Sequence, residues 1–317
     1  MADVPALLAD ARAHLLARRA DRPQPARDDK ALAAWNGLAI AALADAAMQL
    51  ASADPDGAAR YRDAARRAAE TIVGGLLASD GTLARSWKDG RATGNGVLED
   101  HAFLAEGLLA LYEATGDERW FAIARSLADR MLDHFADPAG GFFDTGDDHE
   151  RLVTRPKDLQ DNAIPSGNAT AVAVLLRLEA WTGEGRYRAA ATAALRLVVP
   201  FVVRYPTGFA QWLSAMDQAL APVIEIAIVG APDDPATAGL VAETRRGYRP
   251  NQVVSVSPDP GASVVPLLAD RVAVGGRATA YVCRSFTCRL PVGDPDALRA
   301  RLHEAVGPVA GMVGPTG

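Results

Sequence analysis

Leu111-Tyr-Glu-Ala-Thr-Gly-Asp-Glu-Arg-Trp120 and Leu178-Glu-Ala-Trp-Thr-Gly-Glu-Gly-Arg-Tyr187 are two versions of one phrase. Their Thr-Gly-acid triplets, Thr115-Gly116-Asp117 and Thr182-Gly183-Glu184, lie 67 residues apart. Each follows an apolar helical run and precedes another. Glycine can take the left-handed conformation that ends a helix, and an acidic residue can cap the next one. A recurring helix-stop-helix unit of this size predicts an array of helical hairpins.

Working outward, helices are expected at 4–20 (amphipathic), from about Asp29 to Ala53, 58–78, Val97–Thr115, Glu118–Phe135, up to Thr182 from Gly167, Arg186–Val203, and from Phe209 to before Pro222. Long polar, Gly-rich excursions separate the hairpins. Leu83, Ser86 and Trp87 hint at a short β-hairpin in one of them. Short turns then fall at one end of the array and long loops at the other. Helices starting near Asp29, Val97, Gly167 and Phe209, rich in Ala, Gly and Leu, are expected inside, with the loops gathered around one mouth. After Pro222 the pattern changes. Val223–Gly230 reads as a strand, followed by a helix at 234–246, strands at Gln252–Val256 and Thr279–Cys283, and a helix at 295–305. The expected fold is mainly α: a partial (α/α)₆ toroid over residues 1–221 and a small α/β unit over 222–317.

Apolar residues make up 49% of the 317 and charged ones 23%, with a formal net charge of −6. No basic stripe is concentrated anywhere, which argues against a nucleic-acid partner. The first residues show no charged-then-apolar leader and no apolar run is long enough to span a bilayer, so a cytoplasmic location and no membrane partner are expected. Two cysteines, Cys283 and Cys288, make no disulfide framework. Five apart, they would face opposite ways in one strand and can meet only if a turn intervenes near Ser285-Phe286; otherwise they are a buried pair of small apolar thiols.

Several motifs recur in the order of a known family: Asp28-Asp29-Lys30 with Ala34-Trp35-Asn36-Gly37-Leu38, Leu98-Glu99-Asp100-His101-Ala102-Phe103-Leu104, Gly141-Phe142-Phe143-Asp144-Thr145, Arg155-Pro156-Lys157-Asp158, Ile164-Pro165-Ser166-Gly167-Asn168, and the segment Ala280–Cys288. From about Arg27 onward the chain resembles the C-terminal part of the thioredoxin-domain-containing proteins of the spermatogenesis-associated protein 20 type. The resemblance implies an (α/α)₆ toroid similar to N-acylglucosamine 2-epimerases and six-hairpin glycosidases. The family's thioredoxin-like domain, with its Cys-x-x-Cys, and its upstream hairpins, with a His-Phe-Glu-Lys-Met stretch, have no counterpart in this sequence. About three and a half hairpins are therefore expected, as in a C-terminal fragment, a split gene product or a truncated paralogue.

Candidate site residues follow from the predicted mouth. Glu99 and Asp100 open an inner helix, where the helix dipole favours carboxylates; the competing reading is plain capping. Glu99, Phe103 and Glu106 share a face. Paired carboxylates with an aromatic platform suit acid–base work on sugars. The catalytic candidates are Glu99, Asp100, His101, the sole histidine near the mouth, and Asp161. The substrate-binding candidates are Trp35, Asn36, Trp87, Phe103, Asp144, Lys157, Asp158, Ser166 and Asn168, with Ser166-Gly167-Asn168 also readable as an N-cap cluster. Gly37 is expected to allow close helix contact. Asp147-Asp148-His149-Glu150 reads as a solvated turn, so no metal and no cofactor are expected. The functional expectation is a carbohydrate-active toroid protein of the epimerase, isomerase or glycosidase kind, with a small carbohydrate ligand. The alternative is a non-catalytic scaffold or partner-binding module, in which a second copy or a partner chain completes the ring. A redox accessory role for Cys283 and Cys288 is the remaining possibility.

Overall fold

A computed structural model describes residues 3–306. The chain forms two compact units, 1–30 and 31–317. The first holds helix α1 (Val4–Ala20), none of whose residues is buried; no buried apolar stripe marks the amphipathic helix expected there.

The second unit begins with strand β1 (Ala31–Leu32) and helices α2 (Ala33–Leu50) and α3 (Pro55–Leu76). Strands β2 (Ala84–Lys88) and β3 (Arg91–Asn95) form the hinted hairpin and extend it with β1 into a three-stranded antiparallel sheet. Helices α4 (Leu98–Thr115) and α5 (Glu118–Arg130) follow, the latter running into a π-helical turn, Met131–Phe135. Then come α6 (Gly167–Thr182), α7 (Gly185–Arg204) and α8 (Ala210–Leu220).

Helix α4 packs on α2 and α6, and α6 on α8, while α3, α5 and α7 each pack on their own inner partner. This is the inner and outer layering of an α/α toroid, present as an arc. Gly116 and Gly183 take φ near +70° at the ends of α4 and α6, as the repeated phrase predicts. Helices α2 and α4 touch backbone to backbone, the first half of α2 against the middle of α4. A Cβ on Gly37 would lie 2.4 Å from the Phe103 carbonyl, and one on Gly107 2.4 Å from the Gly37 oxygen. Between the layers, the rings of Tyr112, Phe121 and Trp181 meet at centroid distances of 5.4 to 5.8 Å.

The same unit carries a four-stranded sheet of β4 (Ile224–Val229), β5 (Gln252–Ser257), β6 (Thr279–Arg284) and β7 (Thr287–Cys288), in the order β5-β4-β6-β7. Helices α9 (Pro235–Thr244) and α10 (Pro295–Val306) belong to it. Strand β4 is buried on both faces, which suits a run that is apolar apart from Glu225. Ile224, Ile226 and Ile228 join Leu240, Leu298 and Leu302 in one core, while Ala227 faces the core of the helical array. Residues 307–317 of the expected α/β unit lie outside the described residues.

The cysteines correct the expectation of buried thiols. A two-residue turn at Ser285-Phe286, both with φ near +50 to +60°, pairs Cys283 with Cys288 across β6 and β7, and they form a disulfide. Among the described residues, no helix is long and apolar enough to cross a membrane.

Candidate functional site

The long loops do gather at one end. Leu98 N–H, at the start of α4, donates to the Asp144 carbonyl (2.9 Å), and Asp144 N–H to the Pro156 carbonyl (2.8 Å). Phe143 lies under the Arg155 guanidinium (4.3 Å) and near the Lys157 ammonium (5.1 Å). At the start of α6, Gly167 lets the chain come close to α4; a Cβ there would lie 3.0 Å from Glu99 N.

Beside these contacts lies an open hollow of about 550 Å³, whose lining includes Trp35, Arg85, Glu99, Asp144, Asp158 and Ser166. Trp35 is 62% exposed in the first turn of α2. Arg85 reaches from β2 to Glu99 Oε1 (3.0 Å) and Asp100 Oδ2 (3.1 Å). Asp144 Oδ1 accepts from Asp158 N–H at 2.9 Å. Burial raises the Asp144 carboxyl above its ordinary range; that hydrogen bond opposes the shift, while the Asp158 and Glu99 charges add to it.

The other candidates, Ser166 apart, hold the rim or the core rather than line the hollow. Asp100 is buried, accepting from Val97 N–H (3.0 Å) and Ala34 N–H (3.1 Å). It is the helix cap of the competing reading and also ties α4 to α2. Burial pushes its carboxyl up to about 6, against the pull of Arg85. His101 is buried against Phe135 with Nδ1 3.0 Å from the Val97 carbonyl, and burial lowers it to about 4. It does not reach the hollow, so a general-base role there has no geometric support.

Asp161 accepts from Ser166 N–H (2.9 Å) and Gln211 N–H (2.8 Å), joining the starts of α6 and α8. Asn36 donates to the Leu32 carbonyl, and Phe103 lies fully in the core. Trp87 packs on Gly75 of α3. Lys157 pairs with Asp137 (2.6 Å) and donates to the Gly140 carbonyl (2.7 Å). Ser166 lines the hollow but caps α6 through Ala169 N–H. Asn168 is buried; it accepts from Phe142 N–H and donates to the carbonyls of Phe142 and Asp158. It holds the two mouth loops together.

Arg85, Gln160 and Asn162 also line the hollow and escaped the sequence reading. The signal for Arg85 was strand alternation: buried Leu83 and half-buried Trp87 flank it at spacings of two. His134, Asp147 and Asp148 place their ligand atoms within 4.8 Å of one another, but Asp148 already pairs with Arg130 and Asp147 with His134.

No family model matches the chain. Among solved structures, a cellobiose 2-epimerase from Spirochaeta thermophila is 20% identical with a TM-score of 0.43, covering 53% of this chain and 43% of that one. A GH76 α-mannanase from Bacteroides thetaiotaomicron is 16% identical with a TM-score of 0.41, covering 56% and 43%. Spermatogenesis-associated protein 20 of Mus musculus is 30% identical over 95% of this chain and 39% of its own length. The Homo sapiens protein is 31% identical over 91% of this chain and 38% of its own length. An uncharacterised Caenorhabditis elegans protein is 27% identical over 86% of this chain and 38% of its own length. Along nearly all of its sequence, therefore, the chain is a homologue of spermatogenesis-associated protein 20, of which it spans about two fifths.

Proposed function

We propose that the hollow at the mouth of the arc is a carbohydrate site in which carboxylates supply any acid–base chemistry. One observation carries this reading: an exposed indole, Trp35, shares a 550 Å³ hollow with three carboxylates, Glu99, Asp144 and Asp158. A sugar presents an apolar C–H face that stacks on an aromatic ring and hydroxyls that donate to carboxylates. Asp144, with its carboxyl raised, is suited to hold and deliver a proton. Glu99, fixed by Arg85 at the start of α4, is placed to accept one. No histidine is among the residues lining the hollow, which favours carboxylate over imidazole chemistry.

Ligand-observed NMR with gluco- and manno-configured mono- and disaccharides tests the proposal. Binding by the wild-type chain, weakened about tenfold or more in Trp35→Ala, is expected, since losing an aromatic stacking partner costs on the order of 1–2 kcal/mol. Asp144→Asn should still bind but lose any turnover. Absence of binding by the wild-type chain at millimolar sugar would sink the reading.

A second reading has an observation of its own. Ala39, Ala42 and Trp35 form an exposed row on α2, as at an edge where another inner helix would pack. In that reading the arc is completed by further hairpins from a partner or a second copy. Light scattering showing a stable dimer, with sugar binding absent, would favour it.

A further inference from the structure

The Cys283–Cys288 disulfide lies away from the hollow and has surroundings of its own. We propose that it is a thiol–disulfide exchange site for a carboxylate-bearing low-molecular-weight thiol, with Cys288 as the sulfur that reacts. Cys283 is 1% exposed, whereas Cys288 is partly open. Both line a dent of about 200 Å³ together with Arg284 and Arg289. The Arg271 guanidinium lies 3.0 Å from Cys288 Sγ. A neighbouring cation stabilises a thiolate, so Arg271 favours the step in which Cys288 is released as one. Arg284 Nε and Nη2 are buried without a hydrogen-bond partner, as is Arg271 Nε. Arg284 lines the dent, where its charge can attract the carboxylate of an incoming thiol.

The bond contributes little as a staple. It closes a loop between residues only five apart, and cross-links over short loops restrict the unfolded chain least. The hairpin tip is also held without it. Phe286 N–H donates to the Glu225 carboxylate (2.8 Å), and the Phe286 ring lies against Gly183.

The reaction balances as a two-electron exchange. The external thiolate attacks Cys288 Sγ, the Cys283–Cys288 bond breaks, and Cys283 leaves as a thiolate that takes up a proton. A second external thiolate attacks the sulfur of the first external thiol in the mixed disulfide, and Cys288 leaves as a thiolate beside Arg271. Two external thiols are oxidised to one disulfide, and the protein disulfide is reduced to two thiols.

The test exposes the oxidised full chain to glutathione, which carries carboxylates, and to 2-mercaptoethanol, which does not, with intact-mass and peptide mapping of quenched samples. The mixed disulfide should map to Cys288. The advantage of glutathione over 2-mercaptoethanol should fall about tenfold in Arg284→Gln. In Arg271→Gln, alkylation of reduced Cys288 by iodoacetamide at pH 7 should slow about tenfold, with its pH profile moved upward. The double variant Cys283→Ser/Cys288→Ser should keep its Tm within about 4 °C of the wild type. An adduct on Cys283, equal rates with both thiols in all variants, no reaction in the folded protein, or a larger Tm loss would each overturn the proposal.

Discussion

Three carboxyl groups on α4 show how one residue type divides its labour. Glu99, Glu106 and Glu113 recur every seven residues, so they lie along one face of the helix. Glu99 lines the mouth, Glu106 the inner groove beside Arg177, and Glu113 meets the α/β unit. Burial pushes Glu106 up to about 7, against the attraction of Arg177. A carboxyl held above its unfolded value binds more protons in the folded state, so stability falls as pH rises from about 4 through about 7. Asp100, raised to about 6, acts in the same direction over the lower part of that range. His101, lowered to about 4, acts oppositely: it remains neutral when folded, so stability falls as pH drops below about 6.5. Glu106→Gln should therefore stabilise the protein at pH 8 by about 1–2 kcal/mol and flatten the decline between pH 5 and 8. Urea denaturation at both pH values measures this, and an unchanged slope would refute it.

The candidate site was legible in part for the same reason. Glu99, Trp35, Asp144 and Asp158 line one hollow, which accords with the rule that inner-helix starts and long loops share one mouth. Asp100, Asp161 and Asn168 were also placed near it, yet their polar atoms are consumed by backbone N–H and C=O groups. Side chains that cap helices and side chains that bind ligands are of the same types, and sequence alone does not say which donors reach them. Trp87 failed for another reason. The direction a strand residue faces depends on register, and here it covers the gap left by Gly75.

Helices and turns carry their own tests. Gly37→Ala would push a methyl group into the backbone of α4, so a loss of about 3 kcal/mol is expected. Gly74 of α3 is the useful contrast. Nothing lies within 4 Å of a Cβ added there, and its backbone is helical. Gly74→Ala should therefore stabilise the protein by about 0.5–1 kcal/mol through helix propensity alone. Thermal melts of the two variants should move in opposite directions; the same sign in both would undo the account of the α2–α4 contact. Helix positions were the most legible feature of the sequence, because Thr-Gly-acid stops and polar excursions bracket each run. The short strands β1 and β7 were not legible: two residues each, they exist only because a neighbouring strand offers partners.

The molecule as a whole depends on how the α/β unit is fastened to the arc. Glu113 accepts from Arg177 and from Val254 N–H (2.9 Å), and its carbonyl accepts from Arg245 (2.8 Å). Removing one partner of a buried pair leaves the other charge uncompensated. Glu113→Ala should cost about 3 kcal/mol and split calorimetric unfolding into two transitions. A single, unshifted transition would show that the fastening lies elsewhere. The repeated phrase takes part in the same joint. Gly183 touches the Phe286 ring, and a Cβ on Gly116 would come 3.7 Å from the Val256 carbonyl. The two tight turns are thus seats for the sheet, while the long loops surround the hollow at the far end. Anchorage and opening are segregated to opposite poles, so lengthening a loop at the open pole leaves the joint alone, whereas one residue inserted at either Thr-Gly-acid turn would unseat it.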